Sequence, residues 1–119
     1  MQLNEIQFDG ATPIDGYGPG FFRIAGQVIE GGILVTASGA QSWAGYSDAQ
    51  MLLDLAGEID VLFIGTGADT VHIPGDLRRS LEDAGLGIEA VNSPAAARTY
   101  NVLLSEGRRV AAALMPVED

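Results

Sequence analysis

The sequence predicts an α+β fold of three layers, β+β/α, built on a central mixed sheet. Three observations lead there. The first third alternates and turns in the manner of antiparallel strands. From Val61 onward, short apolar runs alternate with capped helices in β-α-β-α-β order. Right-handed crossovers would then make the three later strands parallel with both helices on one face, so the antiparallel half must extend that sheet or cover its other face. With 119 residues, one domain spanning residues 1–119 and a single core are expected. Sixteen glycines in a chain that is 47% hydrophobic are about twice the usual ~7% share and point to tight turns rather than disorder.

In order, Asn4 to Asp9 alternates as a half-buried strand, with Ile6 and Phe8 on one side. Asp15-Gly16-Tyr17-Gly18-Pro19-Gly20 reads as a turn-rich connection. Phe21 to Ile29 reads as one strand with Phe22, Ile24 and Val28 on a common face. Glu30-Gly31-Gly32 then turns the chain back into a strand over Ile33 to Ala37. Ser38 to Tyr46 is a loop, and Ser47 with Gln50 forms a capping box. The helix that follows sets Ala49, Leu52, Leu53 and Ala56 on one face and Asp54 and Glu58 on the other. Val61-Leu62-Phe63-Ile64 is a buried strand. Pro74-Gly75-Asp76 opens a helix with Leu77, Leu81 and Ala84 inward, and Ile88 to Val91 is the next strand.

The last helix and strand are the most clearly punctuated. Ser93 suits the N-cap, Pro94 the first helical position and Gly107 the left-handed exit. The small apolar run Val110-Ala111-Ala112-Ala113-Leu114 then reads as a strand buried on both faces.

The net charge of −10 disfavours nucleic acid and anionic membrane surfaces. Residues 1–75 carry nine acids and only one base, Arg23, while the other five arginines lie beyond residue 76. That asymmetry fits either a soluble acidic protein or an acidic face for a basic partner. Absence of cysteine excludes disulfides, thiolate metal sites and a thiol nucleophile. No run approaches the ~18 apolar residues of a membrane span, and no signal peptide is visible. Cytoplasmic residence, no direct membrane insertion, no cofactor and no metal are the expectations.

Ligands of open α/β sheets bind beyond the C-terminal ends of parallel strands. Here those ends carry Gly65-Thr66-Gly67 and Asn92-Ser93-Pro94. A helix N-terminus with Thr66, Gly67 and Ser93 around it, and Arg98 one turn on, is a candidate anion site. Against it, Gly65-x-Gly67 does not lead directly into a helix, as a dinucleotide fingerprint requires. Thr66 and Gly67 equally suit a plain turn, Ser93 a plain cap, and Arg98 a structural arginine bonding loop carbonyls or an acid. His72, the only histidine, has no ligand partners in the sequence and reads as a loop residue. Asp54 and Glu58 read as a solvated helix face. Trp43 and Tyr46 are candidate anchors for a partner or packing over a sheet edge.

Several stretches together resemble a known family. They are Phe22-Arg23-Ile24, Ile64-Gly65-Thr66-Gly67, Pro74-Gly75-Asp76-Leu77-Arg78, Ala95-Ala96-Ala97-Arg98-Thr99-Tyr100-Asn101, and Glu106-Gly107-Arg108-Arg109 with the strand after it. They are similar to the small-protein family of unknown biochemical function that includes a mitochondrial respiratory complex I assembly factor and an adipogenesis-associated mammalian protein. The resemblance covers almost the whole chain, and its last two stretches are the most specific. It implies the three-layer β+β/α fold and a cytoplasmic, bacterial-type member without a mitochondrial presequence. It brings no established catalytic mechanism. Ser93 stands where the family pattern has threonine, which keeps the hydroxyl.

Two functional readings follow. The leading one is a non-enzymatic interaction or assembly protein with a protein partner, linked to respiratory or other membrane protein complexes. The alternative is a small-molecule or anion-binding protein, or an enzyme, using Thr66, Gly67, Ser93 and Arg98.

Overall fold

The computed structural model describes residues 5–7 and 13–118, with residues 5–7 defined in backbone only. β1 (Glu5–Gln7) falls within the first expected strand; Asn4, Phe8 and Asp9 lie outside the described residues. β2 (Ile14–Gly18), β3 (Phe21–Ile24) and β4 (Gln27–Glu30) form a three-stranded antiparallel meander. β5 (Ile33–Thr36) and β6 (Gly39–Ser42) follow, then α1 (Ala49–Leu53). β7 (Val61–Gly65), α2 (Gly75–Asp83), β8 (Gly87–Val91), α3 (Ser93–Ser105) and β9 (Val110–Leu114) complete the chain. The second sheet has six strands in the order β1-β6-β5-β9-β7-β8. β7 runs parallel to β8 and β9, while β5 joins β9 antiparallel, so the sheet is mixed as expected.

The two long helices do not share a face. β7 to β8 steps one way across the sheet, and β8 to β9 steps back past β7 to its other side. Each crossover keeps its right hand only if the reversal puts the second helix on the opposite face. The cores record this. Phe63, Val110, Ala112 and Leu114 pack with Ala96, Ala97 and Tyr100 of α3. The intervening Leu62, Ile64, Ala111 and Ala113 pack with Leu52 of α1 and Leu77 and Leu81 of α2. The small sheet contributes Ile14, Phe22, Ile24 and Ile29 to the α3 side. The layers are therefore α1 and α2, the mixed sheet, then α3 beside the three-stranded sheet.

The other departures lie in the first half. Asp15 to Gly18 is strand, not turn, because Gly16 and Gly18 pair with Arg23 and Phe21 across the ladder. The expected single strand over 21–29 is a hairpin turning at Ala25 and Gly26, both at positive φ (53° and 77°). This primed turn matches strand twist. It also shifts the face pattern: Ile29 lies opposite Phe22 and is buried, while Val28 is turned out. Gly31-Gly32 does not return the chain beside β4 but passes it to the larger sheet. β6, paired with β5 and β1, occupies part of the expected loop over 38–46; it is hidden in the sequence because Gly39-Ala40-Gln41-Ser42 lacks the β-branched and aromatic residues that mark strands.

α1 is shorter than its periodicity suggests. Asp48 rather than Ser47 precedes it, no side chain caps it, and Gln50 Nε2 donates to Asp54 Oδ1 at 2.8 Å instead of closing a capping box. Ala84 is exposed just beyond the end of α2. Gly107, at φ 80°, ends α3 as expected.

Candidate functional site

The C-terminal ends of the parallel strands bring Thr66, Gly67 and Ser93 together, in a tightly bonded junction. Asn92, not Ser93, caps α3: its Oδ1 accepts from the Ala95 N–H at 2.8 Å. Asn and Ser are about equal as caps. The structure breaks the tie because the Ser93 hydroxyl is taken elsewhere. Ser93 is fully buried at the first helical position. Its Oγ donates to the Met115 carbonyl at 2.6 Å and accepts from the Gly67 N–H at 3.0 Å. The Ser93 N–H donates to the Gly67 carbonyl at 2.8 Å. One side chain thus ties the exits of β7 and β9 to the start of α3.

Gly65 makes this closeness possible. A Cβ there would lie 2.6 Å from Ser93 Oγ, 2.8 Å from Ser93 Cα and 2.7 Å from Leu114 Cδ2. Real Cβ atoms do not approach that near, so the residue at this point of β7 is a glycine for packing reasons. Thr66 is similarly committed. Its hydroxyl donates to the Asp69 carbonyl at 2.6 Å and accepts from the Val71 N–H at 3.3 Å, folding the loop after β7. Thr70 Oγ1 accepts from the Asn92 N–H at 2.8 Å, pinning that loop to the helix entrance.

Arg98 takes no part in the bonds of this junction. It is exposed on α3 and, among the described residues, its guanidinium makes no hydrogen bond or ion pair. Among the described residues, the structural reading of Arg98, bonding loop carbonyls or an acid, finds no such bond. Further along α3, beyond Ser93, the polar side chain that reaches another element is Asn101, whose amide bonds the backbone of Ile14 in both directions. Spacing carries no signal for this, because its partner lies on a strand whose glycines disguise it.

Trp43 and Tyr46 are neighbours, with rings edge to face at 6.0 Å. Trp43 is buried in the core beneath α1 and α2, and its Nε1 donates to the Asp48 carbonyl at 3.3 Å. Only Tyr46 is partly exposed, and desolvation raises the pKa of its phenol. His72 is exposed in the loop before α2, and Asp54 and Glu58 are exposed beside α1.

Open space is found at the other end of the parallel strands. A groove of about 760 Å³ lies where α1, the β5–β6 turn and the α3–β9 junction converge. Its floor includes Leu34, Leu55, Ile59 and Val110, and its rim includes Asp54, Glu58, Arg108 and Arg109. Arg109 is held by Asp60, with Nη2 to Oδ1 at 2.7 Å, which keeps the Asp60 carboxyl below its ordinary pKa.

A family model described as a protein of unknown function (DUF498/DUF598) matches residues 14–115. An uncharacterized protein of Rhodobacter capsulatus is 54% identical over 98% of this chain and 94% of its own length. The zebrafish (Danio rerio) protein named NADH dehydrogenase [ubiquinone] 1 alpha subcomplex assembly factor 3 is 32% identical over 98% of this chain and 71% of its own. The human protein of that name is 27% identical, and the match covers 61% of its length. Among solved structures, one described as an outer membrane protein from Bartonella henselae superimposes with a TM-score of 0.84 and 38% identity, covering 93% of this chain and 99% of the other. A protein from Bordetella pertussis described as a Mth938-like domain gives 0.77 with 28% identity over 100% of this chain and 94% of the other.

Proposed function

The chain belongs to the family of unknown function DUF498/DUF598, and from that premise we propose that it is a non-enzymatic interaction protein that holds a protein partner during assembly of a larger complex. The observation that carries this reading is the match over nearly the whole chain to a protein named as an assembly factor of NADH dehydrogenase. Residue chemistry supports it. The hydroxyls of Thr66 and Ser93, candidate ligand-binding groups in the sequence, spend their hydrogen bonds on the backbone of the fold. A respiratory membrane complex is the first assembly to test, with the chain working from the cytoplasm. Among the described residues no helix is long and apolar enough to cross a membrane.

The competing reading is a small ligand at Thr66, Gly67, Ser93 and Arg98. It needs the buried Ser93 to release Met115 and the exposed Arg98 to fold back over the junction, so it ranks second. Affinity purification of the tagged chain from its native cell, with quantitative mass spectrometry, tests the first reading. Stoichiometric recovery of subunits of one membrane complex is expected. Recovery of no protein above background, with phosphate stabilising the purified chain, would reverse the ranking.

A further inference from the structure

The groove at the N-terminal ends of the parallel strands combines three walls of different character. Met51, Asp54, Leu55, Glu58 and Ile59 come from α1 and the loop after it. Thr36, Ser38 and Gln41 come from the β5–β6 turn and its flanking strands, and Arg108 and Arg109 from the exit of α3. Its volume of about 760 Å³ is within the ~300–1,000 Å³ of small-molecule sites. The floor is apolar, and it also belongs to the two cores, so it is backed by rigid structure.

The charges on the rim are unequal in how they are used. Arg109 is engaged by Asp60 and by the Gly57 carbonyl at 3.5 Å, and Asp54 accepts from Gln50. Glu58 and Arg108 make no ion pair with each other or with any described residue. Arg108 lies within electrostatic reach of Asp60 but forms no bond to it. An acid and a base that line one cavity without meeting leave an anchor of each sign beside an apolar floor.

We propose that this groove binds a small zwitterionic amphiphile: a cationic end at Glu58 and Asp54, an anionic end at Arg108, and an apolar body over Leu34, Leu55 and Ile59, which share one face of the sheet. A short apolar peptide with both ends free has this chemistry. Such binding needs no protein partner. Glu58 and Arg108 are exposed, so their substitution leaves the fold intact.

The test titrates ¹⁵N-labelled protein with L-leucyl-L-leucine, its N-acetyl form and its C-terminal amide. Saturable shifts confined to the groove are expected, with affinity falling about two- to fivefold when either end is blocked. Glu58→Gln should weaken the free dipeptide by a similar factor but leave the N-acetyl form unaffected. Arg108→Gln should do the same for the amide. No saturable shift at millimolar dipeptide, shifts located elsewhere, or blocked forms binding as tightly as the free one overturns the proposal.

Discussion

The side-chain amide of Asn101 meets both backbone groups of Ile14, accepting from its N–H at 2.8 Å and donating to its carbonyl at 2.9 Å. It serves α3 as one more rung on the edge of the small sheet, and it holds the two parts of that layer together. Asn101→Ala removes both bonds and leaves two partly buried backbone groups without partners, which costs about 1–3 kcal/mol. Asn101→Asp keeps an acceptor for the N–H but sets a carboxylate against the carbonyl, so it should not restore the loss. Urea midpoints of the three proteins check this; an Ala variant as stable as the parent would show that water replaces the amide fully.

Legibility follows side-chain bulk. The β-α-β-α-β half is readable because Val61 to Ile64 and Val110 to Leu114 are continuous apolar runs and because Pro94 and Gly107 punctuate α3. The first half hides its strands in glycine and alanine: β2 through Gly16 and Gly18, β6 through Gly39 and Ala40, and the β3–β4 turn behind an Ala-Gly that lacks the usual Asn or Asp. Nothing in the chain separates the two long helices onto opposite faces, because strand order within the sheet is a tertiary fact. For the site, residue type draws attention to Ser93 and Thr66, but the cap expected of Ser93 falls to Asn92, and the partners that engage the two hydroxyls, Met115 and Asp69, offer only backbone carbonyls. No side-chain pattern can announce those.

Gly65 and Ser93 should behave as a packing pair. Gly65→Ala places a methyl against Ser93 and Leu114 and is expected to cost about 1–3 kcal/mol by overpacking. Ser93→Ala strands the Gly67 N–H and is expected to cost about 1–3 kcal/mol. Combined, they should cost less than their sum, because removing Oγ clears the shortest of the three contacts. Strict additivity in denaturant midpoints would show that the clash is relieved elsewhere.

Ala25 carries a φ of 53° in the two-residue turn between β3 and β4. An L-residue with a Cβ loses about 1–2 kcal/mol in that conformation, and Asn tolerates it better. Ala25 is exposed, so Ala25→Asn should raise stability by about 0.5–1 kcal/mol with no change elsewhere. A thermal melt that falls instead would exclude a left-handed conformation at this position.

Tyr100 is fully buried, and its hydroxyl has no hydrogen-bond partner among the described residues. Burial raises its pKa far above the ordinary tyrosine value. The sign follows directly. Above pH ~10 the unfolded tyrosine loses a proton that the folded one keeps, so stability falls as pH rises, by up to about 1.4 kcal/mol per pH unit. Tyr100→Phe should match or exceed the parent in stability at neutral pH, since it removes an unpaired polar atom. It should also flatten the alkaline decline. A Phe variant destabilised by more than about 1 kcal/mol would mean that the hydroxyl has a partner, such as a buried water.

Arg98 separates stability from function. A structural arginine bonding buried carbonyls would cost about 1–3 kcal/mol to remove, but this one is exposed and unbonded among the described residues. Arg98→Ala should therefore stay within about 0.5 kcal/mol of the parent. Along α3 it is followed by Val102, 54% exposed, and by Ser105, so positions i, i+4 and i+7 form one outward stripe with a cation at its start. If that stripe meets the protein partner, Arg98→Glu should reduce recovery of the partner severalfold, Val102→Ala less so, and neither should move the thermal melt. Phosphate should not protect the parent against heat, because the hydroxyls of Thr66 and Ser93 are already bonded to the backbone. Phosphate stabilisation of the parent that Arg98→Ala abolishes would instead place this arginine at an anion site.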